Sequence, residues 1–121
     1  MEPVDKELLK GSTITIILTV LCRQEMYGYE IIKSIERSSH GAFSPKEGTV
    51  YPVLHQLEKD GAIASRWDET SGTGTRSRKY YRITAQGKKL LAKKTKEWVL
   101  FRTAIEQIMA GATMKGATEW T

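Results

Sequence analysis

Between Thr75 and Lys96 the chain carries nine basic residues and no acidic one: Arg76, Arg78, Lys79, Arg82, Lys88, Lys89, Lys93, Lys94 and Lys96. Cations gathered in one stretch do the chemistry of polyanion binding, in which Lys and Arg neutralise phosphates. The whole chain has 19 Lys and Arg against 14 Asp and Glu, a net charge of +5. Outside this stretch the balance is ten basic against fourteen acidic residues, so all the excess positive charge lies within it. The asymmetry points to nucleic acid first and a membrane surface second; a solvated lysine-rich helix face is the bland alternative. A second constellation, Ser44, Lys46, Thr49, Tyr51 and His55, places hydroxyls, an ammonium and an imidazole within twelve residues. Such groups donate to phosphates and base edges. Each has a structural alternative: Ser44 as a helix cap, Tyr51 as a ring packed on neighbouring helices, His55 as an ordinary surface histidine.

Catalytic chemistry finds no footing. There is no nucleotide-binding loop, no pair of carboxylates beside a titratable base, and no cysteine or carboxylate at metal spacing from His40 or His55. Neither a metal nor a cofactor is expected, and the chain does not read as an enzyme. The one cysteine, Cys22, excludes an internal disulfide framework and suits a reducing compartment. It is expected to be a packed, inert thiol. No apolar run approaches the ~20 residues of a bilayer span. The opening Met1-Glu2-Pro3-Val4-Asp5 is acidic where a secretory signal is basic. A cytoplasmic location without membrane insertion follows as the expectation. The 121 residues, 40% apolar and 27% charged, are enough for one domain with a real core.

The elements that must position these groups can be read from periodicity and caps. Ile14, Ile17, Leu18 and Leu21 give one face of a first helix over about Asp5 to Arg23, followed by a short connection, Gln24-Glu25-Met26. Tyr27, Ile31, Ile32 and Ile35 mark a second helix, about Tyr27 to Ser39, stopped at His40-Gly41. Ser44-Pro45-Lys46-Glu47 offers an N-cap serine, a proline at the first helical position and a glutamate at the third. The third helix carries the stripe Val50, Val53, Leu54, Leu57 and ends at Asp60-Gly61. Pro52 lies inside it and predicts a kink, or an irregular first turn, near Gly48 to Tyr51. Ile63–Trp67 and Arg78–Ile83 read as the strands of a hairpin with the glycine-bearing tip Thr70–Thr75. Trp67 is expected to pack on the domain core, and of Tyr80 and Tyr81 one ring faces in and the other out. A last helix starts at the cap Thr84 and runs to about Ala110. Its seam is Leu91, Trp98, Phe101, Ile105 and Ile108. About 27 residues span ~40 Å, too long for so small a globule to cover alone, so this helix needs a partner.

The fold class is mainly α with a small β-hairpin: a winged helix-turn-helix plus a long C-terminal dimerisation helix. Residues 1–83 form the DNA-binding domain, 84–110 the dimerisation helix, and 111–121 an expected disordered tail. A short third helix fits the major groove, ~12 Å wide. The hairpin tip with Arg76, Arg78 and Lys79 reaches the neighbouring backbone or minor groove. Double-stranded operator DNA is the expected partner.

Four pieces in this order also carry a resemblance: Tyr27-Gly28-Tyr29-Glu30-Ile31, Gly48-Thr49-Val50-Tyr51-Pro52-Val53-Leu54, Leu57-Glu58-Lys59-Asp60-Gly61, and Arg78-Lys79-Tyr80-Tyr81-Arg82-Ile83-Thr84 with Gly87. Together they resemble the PadR family of transcriptional regulators, in its short branch with a single C-terminal helix. The resemblance implies a dimeric repressor, released from its operator by a small aromatic or hydrophobic effector. Some drug-sensing members carry a tryptophan in this part of the last helix. By that likeness Trp98 would stack on a ligand between subunits, with Leu8 and Thr15 lining the pocket; its alternative is dimer packing with Phe101. Two other functions compete: a winged-helix DNA-binding module with no effector pocket, and a winged-helix protein-interaction adaptor.

Overall fold

The computed structural model describes residues 9–68 and 77–114. Arg76, Leu8 and the expected hairpin tip therefore lie outside the described residues. Helix α1 spans Thr13–Arg23 and buries Ile17, Leu18, Val20 and Leu21. It does not reach back unbroken toward Asp5. Gly11-Ser12 forms a turn closed by the Ser12 N–H donating to the Leu9 carbonyl at 2.9 Å, as poor helix formers at this point favour. Cys22 corrects the expectation of a packed thiol: it falls on the outer side of α1 and is exposed.

Strand β1, Met26–Tyr27, occupies part of what periodicity reads as a connection. It pairs antiparallel with β3, Arg78–Ile83, in the register Met26↔Tyr81 and Tyr27↔Tyr80. Strand β2, Ile63–Asp68, pairs with the other edge of β3, giving the order β1-β3-β2. Helix α2 spans Gly28–Ser38, and the Glu30 carboxylate accepts the Tyr27 N–H at 3.1 Å. It ends as expected, with His40 at φ 52° and Gly41 at φ 82°, and the Gly41 N–H reaches the Glu36 carbonyl.

Helix α3 spans Glu47–Lys59, so Lys46 and not Ser44 occupies the N-cap, without a side-chain cap. The reason is Pro45, which is buried and holds the preceding chain extended. Ser44 donates instead to Glu36 Oε2 at 2.7 Å. The first turn is tightened by Thr49 and Val50 both donating to the Lys46 carbonyl. Pro52 does not interrupt α3. Gly48 and Pro52 both face outward, so water can serve the carbonyl that loses its partner. Val50, Leu54 and Leu57 pack inward against Ile17, Leu18, Ile31 and Ile63.

Helix α4 spans Ala85–Met114, 30 residues and about 45 Å. Thr84 caps it as expected: its Oγ1 accepts the Gly87 N–H at 3.0 Å and donates to the Gly61 carbonyl at 2.7 Å. The helix passes Gly111 and ends beyond Ala110, because one glycine costs only about 1 kcal/mol relative to alanine. Leu90 and Leu91 pack against the core, whereas the later apolar side chains stand clear of it.

Candidate nucleic-acid interface

Lys46 at the N-cap of α3 and Thr49, Tyr51 and His55 within it are all exposed. Tyr51 faces two ways. Its ring lies against the α2 N-terminus, where a β-carbon on Gly28 would sit 2.6 Å from the ring Cζ, yet 41% of the residue stays accessible. Burial, chiefly, pushes its phenol pKa up, and the nearby Glu47 charge adds to this. The neutral hydroxyl is therefore kept as a donor. Ser44 is committed to Glu36, whose carboxylate it and Lys33 hold below the ordinary range.

On the hairpin, Arg78 stacks 4.5 Å from the Tyr27 ring centroid. Tyr27 meets Tyr80 edge-on at 5.5 Å, and Arg66 covers Tyr80 at 4.9 Å while bridging to Glu25. This outer face is a row of alternating cations and rings. The opposite face turns to α3. There Tyr81 is buried, so the expected in-and-out pair of tyrosines holds. The Lys79 Nζ lies 3.2 Å from Glu58, and Glu58 also accepts the Ser65 hydroxyl. Lys79 is thus a clamp between wing and helix as well as a surface cation. Trp67 corrects the expectation of a core residue: it is 62% exposed. Alternation along β2 puts it on the inner side, but the hairpin has by then run past the core.

Glu58 is a positioning residue that periodicity did not single out. The Ser65 hydroxyl, then the Lys79 ammonium, hold its carboxyl below the ordinary 4.5. A folded-state pKa below the unfolded one contributes stability above the unfolded value, lost as pH falls through the folded value. Glu58→Gln should lower the melting temperature at neutral pH. The gap from wild type should close as thermal melts are taken below pH 4.5; a gap constant with pH would remove the clamp.

Thr15 and Trp98 do come together. They line an open cleft of about 650 Å³ between α1, the end of α2 and α4, with Ile16, Val20, Phe43 and Phe101. Phe43 was not foreseen, since it lies in the irregular segment between α2 and α3. Arg102 covers the Trp98 ring at 5.0 Å. Of the expected seam, Trp98, Phe101, Ile105 and Ile108 are exposed, but Leu91 is half-buried against its own core. Among the described residues no cluster of His, Cys, Asp or Glu could hold a metal, and no helix is long and apolar enough to cross a membrane.

The three-helix core and wing fit a sequence family described as the transcriptional regulator PadR-like family, which matches residues 17–93. The chain belongs to the PadR-like family. It is similar to a transcriptional regulator from Clostridium thermocellum, Cth-833, at 37% identity and TM-score 0.76 over 84% of this chain and 97% of that one. A PadR family transcriptional regulator from Eggerthella lenta matches at 32% identity and TM-score 0.70 over 85% and 82%. The transcriptional regulator YqjI of Escherichia coli is 29% identical over 87% of this chain and 48% of its own length. The mainly helical fold with its antiparallel wing and long last helix is thus the PadR winged helix-turn-helix, and PadR regulators bind DNA.

Proposed function

We propose that this PadR-family regulator is a homodimeric repressor that grips operator DNA and is released by a small aromatic or hydrophobic effector. Residues 1–83 serve as the DNA-binding part and 84–110 as the dimerisation helix. The observation that carries the reading is the distal half of α4. Trp98, Phe101, Ile105 and Ile108 leave a continuous apolar stripe uncovered, and the same Trp98 and Phe101 wall the cleft that holds Thr15. A two-fold partner covering that stripe would lie beside the cleft, so a ligand there would act on the spacing of the two heads. Lys46 at the start of α3 and Thr49, Tyr51 and His55 along it would then face one major groove, with Arg76, Arg78 and Lys79 assigned to the flanking backbone. Half-sites would be separated by about 10 bp or a multiple.

Footprinting upstream of the protein's own gene, with and without planar aromatic compounds, tests this. Two-fold protection, lost on adding ligand, is expected. Trp98→Ala should keep the protection and lose the response. Protection indifferent to every saturating ligand would leave a DNA-binding module without an effector pocket. Absence of salt-dependent DNA binding would favour a protein adaptor.

A further inference from the structure

One large ring on the wing is left uncovered. Trp67 is 62% exposed, on the face of the hairpin that turns toward α3. The placement follows from register. Ser65, two residues earlier on the same face, bonds Glu58 of α3, and Lys79, directly across from Trp67, bonds Glu58 as well. The Lys79 ammonium lies 6.0 Å from the Trp67 ring centroid. Trp67 therefore occupies the corner between the wing and the C-terminal half of α3, beside Lys79.

We propose that Trp67 is a DNA contact, packing its indole on the sugar edge of the duplex backbone that borders the groove entered by α3. This rests on the DNA-binding reading above and adds a residue to it. Position selects the occupant. Directly across the pair stands Lys79, on the ring's own face, while Arg78 and Arg82 project from the other face of that strand. A partner lying over the ring must lie over Lys79 and run on toward α3, which suits a duplex whose groove α3 enters. The surface is continuous with the exposed side of α3, where His55 lies near Glu58. An indole supplies apolar contact to deoxyribose, while the Lys79 ammonium beside it attracts the neighbouring phosphate. Because Trp67 is uncharged, its contribution is independent of salt, unlike that of every cation beside it.

The full chain labelled with 5-fluorotryptophan gives a fluorine resonance for Trp67, assigned by its loss in Trp67→Phe. A fluorescein-labelled random-sequence duplex of two to three helical turns is titrated in at low salt, and anisotropy reports binding. The expected result is that the solvent isotope shift of the Trp67 resonance falls as anisotropy rises. In parallel, Trp67→Ala should bind about tenfold more weakly with an unchanged salt slope, and Trp67→Phe should retain most of the affinity. Rising anisotropy with an unaltered Trp67 isotope shift overturns this inference alone, and leaves the ring free for a protein partner. Flat anisotropy across the titration overturns the DNA-binding reading, and this inference with it.

Discussion

Replacing Phe101 and Ile108 together by aspartate should make the protein monomeric and lower its affinity for a two-half-site operator by a factor of about 10²–10⁴. The two residues are 65% and 73% exposed, on the stripe that also carries Trp98 and Ile105. Covering each such side chain contributes roughly 1.5–3 kcal/mol. A two-fold interface repeats each new carboxylate, so four negative charges would share one apolar seam, adding like-charge repulsion to the lost burial. Each head would then bind alone and forfeit the effective concentration that linkage gives the second head. Sedimentation equilibrium reads the mass, and titration of a palindromic duplex reads the affinity. A variant that stays dimeric with undiminished affinity would remove α4 as the dimer seam.

A second large effect is expected where α4 begins. Gly87→Ala should destabilise the fold by about 3 kcal/mol, combining overpacking with damage to the helix cap. A β-carbon there would overlap the Ala62 carbonyl oxygen and lie 2.7 Å from Ile83 Cγ1. The Ala62 carbonyl cannot yield freely, because it accepts the Thr84 N–H at 3.1 Å, next to the Thr84 cap. Relief of the clash must therefore loosen the α3–β2 turn, the β3 end or the cap. Intrinsic helix propensity predicts the opposite sign, with alanine better by about 1 kcal/mol. Thermal melts distinguish the two: a fall of roughly 10–20 °C is expected, and a rise would show that the close approach is absent.

The residues told most about the elements whose patterns extend over several turns. The apolar stripes of α2 and α3, the Thr84 cap and the two long strands follow from repeated local preference, which tertiary packing here reinforces. Short and relational features were not legible. Strand β1 has two residues, too few for any period, and exists because β3 offers an edge. Ser44-Pro45-x-Glu47 imitates a capping box, but burial of Pro45 decides where the helix starts. Trp67 alternates correctly to the inner face of its strand; only the reach of the hairpin beyond the core makes that face open. The Tyr51 ring against Gly28 joins segments 23 positions apart. Leu91 shares the spacing of the seam but falls where α4 still touches its own core.

The pairing of Met26–Tyr27 with β3 has one more consequence. It stitches the wing to the residue preceding α2, so the hairpin base has no free pivot. The Glu58 clamp ties its other side to the helix that would read the groove. A dimer built from such heads would work like a pair of callipers with stiff jaws. Its motion would open or close the gap between the tips more readily than bend either one, so inserting or deleting base pairs between the half-sites should matter more than altering the sequence under the wing.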